Sequence, residues 1–478
     1  MQSAQQSRFI LTPLHMHIVL ALVCTAFVLI KLPYVELPYY WDEAWVYAPA
    51  VQEMAASGPS LAPDAIPAEL TRGHPLLFHF LAAIWVSVFG NSAVAAHSFA
   101  LLVSVLLLIV VYRSASRIFS PAAGIAAVVL ICVQPVFFAQ SGLLLPEIML
   151  ALFLLLALQA YIENKWVVYM LAAAAAILTK ESAVALFAGL SAHRLLVWLK
   201  HRGGHRQHII TLVKINASAL LWVGFLLWQY AVRGWMFFPY HVYLMSFEPA
   251  FILNQFNRYL LYIFIYQGRN AVTAILAITL TAMAFGKIQL SAVQRHWSIC
   301  SGIFSFFFFM MSAVNFYSGR YVLILVILLC MAAAGMLSQI NWKRWIVALL
   351  VIVAATPSII NMITYPGKED NERGYANAVK VMQQAGQWLT SNEQKDRKVY
   401  GTFLIHNMLT DARGGYLTKD KLHKHTVTVP DSAYYIVWNS FENEQLINDL
   451  KNDTARFTEE KKFEISSSQV IIYRRKEF

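Results

Sequence analysis

The sequence predicts a polytopic α-helical membrane protein with a small α/β domain at its C-terminal end. Of the 478 residues, 58% are hydrophobic and only 13% are charged, whereas soluble proteins have roughly 45–50% apolar and 25% charged residues. Long apolar segments follow one another as far as Pro366, and the charge density beyond it is that of a soluble protein. Larger soluble chains divide into domains and do not become more apolar. The composition therefore excludes a soluble enzyme, a disordered chain and a disulfide-stapled scaffold.

Eleven segments are predicted to cross the membrane, which needs roughly 17–25 apolar residues per helix. They are residues 14–33, 92–112, 121–140, 146–163, 166–179, 182–199, 209–231, 270–286, 297–315, 321–339 and 345–363. The first has no small-residue cleavage site behind it, so we expect a retained span and not a signal peptide. An odd number of spans places the two chain termini on opposite sides of the membrane.

Basic residues predict the orientation. Residues 1–365 contain 20 Lys and Arg, and 13 of them lie on the cytoplasmic side if the N-terminus does, with the densest cluster at 200–214. Because cytoplasmic loops are enriched in Lys and Arg, we expect a multi-pass inner-membrane protein with a cytoplasmic N-terminus. Residues 366–478 then form an extracytoplasmic domain in the periplasm. The net charge of +11 follows from this topology, and no nucleic acid partner is expected.

The outer loop 34–91 carries most of the predicted chemistry. Its apolar segment 74–89 would rise only about 24 Å as a helix, so we expect it to lie in the outer interface. The aromatic segment 234–258 suits the same depth. Nine of the ten carboxylates of residues 1–365 fall on the outer side: Glu36, Asp42, Glu43, Glu53, Asp64, Glu69, Glu147, Glu181 and Glu248.

Charged residues at the ends of short spans predict a site recessed into the outer face. Residues 166–179 cover about 21 Å of helix, so Lys180 and Glu181 should lie below the outer surface. Ionisable groups at that depth usually face a polar cavity. The alternative is an ion pair that joins two short helices.

Other candidate residues leave two interpretations open. Asp42 and Glu43, which follow two aromatic residues, suit a general base or a metal site, but carboxylates also cap helix starts. The same alternatives apply to Glu147, which follows Pro146. Arg269 and Arg320 begin spans and either bind an anion or reach towards headgroups. His74, before Pro75, is a ligand or only a helix start.

No metal site is predicted from spacing. The sequence contains no HExxH or paired-histidine pattern. Its four cysteines, Cys24, Cys132, Cys300 and Cys330, lie in apolar runs without CxxC spacing and are interpreted as small hydrophobic residues. No cofactor is therefore predicted, and the use of a divalent cation is left open.

The C-terminal domain is predicted from local patterns. Apolar positions recur with helical period over 371–391, and residues 399–405, 434–438 and 470–473 are typical of β-strands. A short helix is expected over 441–450, and a solvated loop over 419–425. Nothing in this domain resembles a phosphate-binding loop.

Several short motifs together resemble the C-type membrane glycosyltransferases, in particular the group that contains protein O-mannosyltransferases and the lipid A aminoarabinose transferase. In chain order the motifs are Trp41-Asp42-Glu43, Arg72-Gly73-His74-Pro75-Leu76, Phe89-Gly90-Asn91, Tyr112-Arg113, Arg117-Ile118-Phe119, Gln140-Ser141, Pro146-Glu147, Leu178-Thr179-Lys180 and Arg320-Tyr321. They cover roughly residues 36–330. His97 stands where relatives usually have arginine, and Leu76, Glu147 and Glu181 also depart from the usual pattern.

The resemblance implies a GT-C-like fold and transfer of a sugar from a polyprenyl-phosphate donor to an acceptor hydroxyl on the outer face. Asp42 is then the general base, with Glu43 orienting it or binding the acceptor. Lys180, Arg269 and Arg320 would stabilise the phosphate leaving group. Glu147 would position substrate or act as a second carboxylate. The remaining substrate-binding residues would be Arg72, His74, Glu181 and Tyr321.

The acceptor implied by the resemblance is a lipid, a glycan or a protein. Two other functions fit a membrane protein of this composition. A transporter or flippase of lipid-linked sugars would show internal repeats and ionisable residues near the midplane, and neither pattern is found. A non-enzymatic scaffold for envelope assembly would not need Asp42.

Overall fold

The computed structural model describes residues 13–201, 203–340, 342–391, 393–442 and 444–476. The predicted cytoplasmic N-terminus with Arg8, and Arg202 of the basic cluster, lie outside these residues.

The region before Pro366 is helical. Its helices are α1 (Pro13–Val35), α2 (Ala48–Ser57), α3 (Leu77–Phe89), α4 (Ala93–Ile118), α5 (Pro121–Cys132), α6 (Pro135–Gln140), α7 (Glu147–Ile162), α8 (Trp166–Thr179), α9 (Val184–His201), α10 (His205–Asn216), α11 (Ala219–Arg233), α12 (Pro239–Leu244), α13 (Pro249–Phe264), α14 (Arg269–Ala284), α15 (Ala292–Ala313), α16 (Leu323–Leu337) and α17 (Arg344–Thr364). A π-helical turn (Glu43–Tyr47) precedes α2, and 3-10 turns precede α9 (Glu181–Ala183) and α16 (Gly319–Val322).

Every predicted span coincides with one helix or with two consecutive helices, which confirms a polytopic helical fold. Within the described residues, six helices are long and apolar enough to cross a membrane, and up to eight if two bent pairs each count as one span. The pairs are α10 with α11, bent by 43°, and α13 with α14, bent by 84°. Helices α5, α7 and α8 are apolar but shorter. The count of eleven spans therefore stays a prediction.

Breaks between the helices of this region place the charged residues Glu147 and Lys180 at helix ends. Helix α8 ends at Thr179, because Lys180 adopts an extended backbone conformation (φ −159°, ψ 138°) before the 3-10 turn that leads into α9. Helix α7 starts at Glu147, directly after Pro146, and proline is well tolerated only at a helix start. The segment predicted to lie in the interface, 74–89, is helical over α3.

The C-terminal domain is an α/β domain, as predicted. Its helices are α18 (Tyr375–Leu389), α19 (Phe403–Thr410) and α20 (Glu444–Asn452), and its strands are β1 (Val399–Gly401), β2 (Tyr435–Asn439), β3 (Phe457–Ile465) and β4 (Ser468–Arg475). The sheet order is β1-β2-β4-β3; β1 pairs with β2 in parallel, and the other pairs are antiparallel.

Two predictions for this domain need correction. The strand expected over 399–405 ends at Gly401, because helix α19 starts at Phe403. Strand β3 was not predicted, since its charged run Glu459–Lys462 shows no apolar alternation. Such charged sequences are typical of edge strands, and β3 lies at the edge of the sheet.

The C-terminal domain packs on residues 34–91. Tyr39 N donates to Gly414 O over 3.1 Å, and the Tyr40 hydroxyl donates to Lys368 O over 2.7 Å. The Phe403 ring lies edge-on against Trp45, with 4.9 Å between ring centroids. These contacts bring the start of the C-terminal domain close to Asp42.

Candidate active site

A cluster of five charged side chains, here named the ionic cluster, lies where the loop 34–91 meets the ends of helices α7 and α8 and the turn before α16. It consists of Asp42, Glu147, Lys180, Arg320 and Asp370. The Arg320 guanidinium forms ion pairs with Asp42 and Asp370, and its Nε lies 3.5 Å from Glu147 Oε1. The same Glu147 oxygen accepts a hydrogen bond from Lys180 Nζ over 2.8 Å. The structure thus brings together residues that the sequence placed only in separate segments.

Glycine before Arg320 makes this arrangement possible. A Cβ atom at Gly319 would lie 2.0 Å from Asn371 Nδ2 and 2.4 Å from the Tyr262 ring, which are distances that no side chain tolerates. The backbone of the 3-10 turn therefore approaches the 366–374 loop closely enough for Arg320 to reach Asp370.

Asp42 stays ionised at neutral pH. Burial by itself would raise its pKa, but the charge of Arg320 and hydrogen bonds from Arg320 and Trp45 outweigh burial, so the pKa lies below the usual range. The preceding residue, Trp41, has a left-handed backbone (φ 46°). A large residue in this conformation is strained, and such strain clusters at functional sites.

Glu43 lies behind the site and not in it. Its carboxylate is fully buried and accepts hydrogen bonds from Tyr40 N (3.1 Å) and from the Leu144 backbone amide. His97 Nε2 lies 2.8 Å from Glu43 Oε1, and His97 Nδ1 lies 3.0 Å from Val35 O. Glu43 therefore fixes the turn that carries Asp42 to helix α4 and to the segment before α7.

Two cavities meet at the ionic cluster. The first, the apolar cavity, has a volume of about 440 Å³ and is lined by Glu147, Lys180 and Glu181 together with apolar and aromatic side chains such as Trp222 and Phe308. The second, the acidic cavity, has about 410 Å³ and is lined by Asp42, Arg320, Glu369 and Asp370 with Trp45 and Phe403. The two cavities share the lining residues Arg72, His74, His241, Phe316 and Tyr321.

The two C-terminal-domain carboxylates of the acidic cavity bind protons more readily than ordinary ones. Burial raises the pKa of Asp370 to about 6, with Arg320 opposing and Asp42 and Glu147 adding to the shift. Burial and the neighbouring acids raise the pKa of Glu369 to about 7. Asp42 and Asp370 therefore face one cavity with different proton affinities.

His74, Glu181 and His241 form a second polar group beside the ionic cluster. His74 Nδ1 lies 2.6 Å from Glu181 Oε2, and the His74 and His241 rings are 5.2 Å apart. Burial, followed by the charge of His74, lowers the pKa of His241 to about 3, so this ring is neutral. The three side chains offer ligand atoms within 4.8 Å of one another, an arrangement that fits a divalent cation. Sequence spacing could not show it, because the residues lie on three separate segments.

Cations and aromatic rings line the boundary between the cavities. The Arg72 guanidinium lies 4.1 Å from the centre of the Trp45 ring and 5.4 Å from that of Phe238. Lys180 Nζ lies 4.3 Å from the centre of the Tyr321 ring. Such contacts stabilise a desolvated cation and leave it available to an anion that enters the cavity.

Arg269 lines neither cavity. It is fully buried, its Nε donates to Tyr262 O over 2.7 Å, and its Nη1 donates to Gln267 Oε1 over 3.0 Å. Its guanidinium lies 4.3 Å from the centre of the Tyr262 ring. These contacts hold the turn between α13 and α14 in place.

Eight of the ten residues predicted for the site line one or both cavities: Asp42, Arg72, His74, Glu147, Lys180, Glu181, Arg320 and Tyr321. Glu43 and Arg269 do not. Sequence reasoning missed Asp370, Glu369 and His241, which also line the cavities. Glu369 and Asp370 lie in an ordinary charged stretch and His241 lies among aromatic residues, so no local sequence pattern marks them as site residues.

Comparison with known proteins identifies a matching family model and proteins of similar fold. Residues 73–228 match the family described as dolichyl-phosphate-mannose-protein mannosyltransferase. The chain resembles the crystal structure of ArnT from Cupriavidus metallidurans in the apo state, with a TM-score of 0.59, 14% identity, and coverage of 95% of this chain and 97% of that one. For ArnT bound to undecaprenyl phosphate, the TM-score is 0.58 at 14% identity, over 96% and 98% of the two chains. No curated sequence matches the chain. The resemblance predicted from the motifs is thereby confirmed, and the chain has the fold of the C-type polytopic membrane glycosyltransferases.

Proposed function

We propose that the protein transfers a sugar from a polyprenyl-phosphate donor to an acceptor hydroxyl, with the donor in the apolar cavity and the acceptor in the acidic cavity. One observation carries the proposal: the ionic cluster lies at the junction of the two cavities. A reaction there has a cationic group for a phosphate on one side and a carboxylate for a hydroxyl on the other.

The apolar cavity suits a lipid phosphate. Its walls include Leu150, Leu226 and Met311, which match an isoprenoid chain. Lys180 and Arg72 lie at its polar end, and lysine and arginine are the usual binding partners of phosphate. The structure of ArnT with undecaprenyl phosphate, which has the same fold, supports a donor of this class.

The acidic cavity suits an acceptor hydroxyl. As the hydroxyl oxygen attacks the anomeric carbon, the bond from that carbon to the phosphate oxygen breaks. The hydroxyl proton passes to Asp42, and the bonding electrons leave with the lipid phosphate. Because the phosphate is a good leaving group, the reaction needs no general acid.

Arg320 couples the two halves of this reaction. It holds Asp42 ionised but weakly basic in the resting site. Negative charge that develops on the leaving phosphate attracts the guanidinium, which weakens its pairing with Asp42 and makes that carboxylate a stronger base. Fixed cations at a developing charge are a large source of catalysis in a desolvated site.

The other residues position these groups. Glu147 holds Lys180 and Arg320 at the cavity junction, and Glu43 with His97 supports the turn that carries Asp42. His74, Glu181 and Tyr321 contact the sugar or the phosphate. Arg269, buried elsewhere, supports the α13–α14 turn.

We place the reaction on the outer face of the inner membrane, with residues 366–478 in the periplasm.

The test uses purified protein in lipid nanodiscs with a labelled mixture of polyprenyl-phosphate sugars and a membrane extract as the acceptor source. Asp42→Asn should lower donor consumption by about 10²–10⁴-fold, the range expected for a general base, while donor binding is kept. Asp64→Asn is the matched control, since Asp64 is an exposed acid of the same outer loop.

Full consumption in Asp42→Asn would refute the assignment of the base. Donor that moves across the bilayer of vesicles without being consumed would instead favour a flippase. A protein that neither consumes nor moves the donor would fit the scaffold alternative.

A further inference from the structure

We propose that helices α9 and α15 carry a binding site for a soft or borderline transition-metal ion of the Zn²⁺ or Cu⁺ type, formed by His193, His296 and Cys300. Nothing in the proposed transfer reaction uses these residues. The inference therefore stands apart from the proposed function.

The three side chains have the spacing of metal ligands. Each offers a ligand atom, and these atoms lie within 4.8 Å of one another. Residues four apart lie on the same face of a helix, so His296 and Cys300 project together from α15. Cys300 Sγ is 3.8 Å from His296 Nε2, whereas a tetrahedral zinc ion would hold nitrogen and sulfur ligands about 3.5 Å apart. Small side-chain adjustments close this difference.

The ligand chemistry selects the class of ion. Two imidazoles and one thiol, with no carboxylate among them, suit Zn²⁺ or Cu⁺ and not Mg²⁺ or Ca²⁺, which require oxygen ligands.

On binding, the Cys300 S–H bond breaks, the proton passes to solvent, and a metal–sulfur bond forms. The thiolate offsets part of the positive charge that the ion brings next to Arg194, the residue that follows His193.

A neighbouring hydroxyl supports the ligands. Tyr161 Oη lies 2.9 Å from His193 Nδ1, and the Tyr161 ring stacks on His296 at 6.4 Å between centroids. Outer contacts of this kind fix the orientation of metal-binding histidines. His193 and Cys300 are buried, whereas His296 is partly exposed and gives an ion a route of entry.

The site lies far from the ionic cluster. Along α15, His296 precedes Ser312, which lines the apolar cavity, by 16 residues, or about 24 Å of helix. The bound ion would join the middle of α9, where His193 follows the cavity-lining Val184 by nine residues, to the start of α15. Both helices contribute lining residues to that cavity, namely Val184, Phe308 and Met311, so the ion would fix the spacing of two of its walls.

The experiment measures Co²⁺ binding by optical spectroscopy to full-length protein in nanodiscs, after chelator treatment and reduction of thiols. Cobalt bound to a thiolate has an intense near-ultraviolet charge-transfer band, so the signal reports Cys300 and not a cluster of histidines and carboxylates. Bound Zn²⁺ should displace the cobalt and remove the band.

Cys300→Ser should abolish the band, and His193→Ala should weaken Co²⁺ binding at least tenfold. Cys132→Ser, which changes a cysteine on α5, and His241→Ala, which changes the group of His74, Glu181 and His241, should leave the band intact. Failure of the wild-type protein to bind Co²⁺ with a thiolate band would overturn the proposal. So would a band that persists in Cys300→Ser or disappears in Cys132→Ser. If Cys300→Ser does not fold, His296→Gln must abolish the band in its place.

Discussion

Two buried residues, Glu43 and His97, determine where the proposed base lies. Both ring nitrogens of His97 face acceptors, the Val35 carbonyl and the Glu43 carboxylate, so the pair is held from both ends. A buried charge that loses its partner is strongly destabilising. The turn from Glu43 to Tyr47 would then lose its tie to helix α4.

His97→Ala should therefore lower the free energy of unfolding by about 3–5 kcal/mol and also reduce transfer. The measurement is thermal unfolding in detergent together with donor consumption. His425→Ala, at an exposed histidine of the C-terminal domain, is the control and should leave both unchanged. If His97→Ala unfolded at the same temperature as the wild type, the structural role of the Glu43–His97 pair would be contradicted.

The raised pKa of Asp370 predicts that the stability of the protein depends on pH. Its pKa rises from 3.8 to about 6 on folding, so between these values the folded protein binds more protons than the unfolded chain. Its contribution to stability is complete below about pH 4 and is lost as the pH rises through about 6. Asp370→Asn should remove this part of the pH profile.

The unfolding midpoint of the wild type, measured from pH 4 to pH 7.5, should fall relative to that of Asp370→Asn as the pH rises. Asp431→Asn changes an acid of the same domain whose side chain is 83% exposed, and it should run parallel to the wild type. A constant difference between wild type and Asp370→Asn would mean that Asp370 has an ordinary pKa.

The sequence identified individual site residues where a charged side chain stands beside an apolar membrane span. Lys180, Glu147 and Arg320 stand next to apolar spans, and this alone marked them as candidates. Asp370 lies in a stretch of ordinary soluble composition, and its place depends on Arg320, 50 residues earlier. Glu43 could not be separated from Asp42 by sequence, because only the fold shows that His97 lies opposite one of them.

At the scale of elements, helix breaks and glycine turns shape the cavities. Gly73 precedes α3 with φ +73°, and a Cβ atom there would lie 2.8 Å from Phe238 Cβ and 3.1 Å from the Trp235 ring. Phe238 lines the apolar cavity directly before α12. The close approach of Gly73 thus positions the wall that α12 begins.

Gly73→Ala should displace Phe238 and raise the KM for the lipid donor several-fold, with a smaller change in kcat. Gly234→Ala is the matched control, since Gly234 has φ +80° and no atom within 4 Å of a Cβ there. Both variants carry the backbone strain of a left-handed alanine, about 1–2 kcal/mol. Equal KM values in the two variants would show that contact with Phe238 does not shape the donor site.

Helix positions were predicted well because apolar length is a strong signal. The breaks within spans were not predicted. The segments 121–140, which contains α5 and α6, and 209–231, which contains most of α11 and part of α10, are predominantly apolar along their whole length. In the C-terminal domain, β1 and α19 read as one strand because Val399 to Ile405 is largely apolar and β-branched or aromatic. Burial by neighbouring elements decides such cases, and single segments do not carry that information.

For the whole molecule, the sequence predicts a definite orientation. A reporter enzyme that is active only in the periplasm should be active when it is fused after Phe478. A reporter that is active only in the cytoplasm should be active when it is inserted at Gly203-Gly204. An inactive tail-fused reporter, with membrane insertion verified, would contradict the odd number of spans. Fusion after Gly286 gives an independent control, because that loop is also expected in the cytoplasm.

The ionic cluster also constrains the order in which the protein assembles. Asp42 and Arg320 are separated by 278 residues, and Asp370 follows Arg320 by another 50. Lys180 and Glu147, only 33 residues apart, can pair as soon as their helices enter the membrane. Arg320 is synthesised later, and its partner Asp370 follows it in the C-terminal domain. The nascent chain therefore has no complete ionic cluster until Asp370 has been synthesised and has docked on Arg320, so a product that stops before residue 370 lacks one of the partners of Arg320.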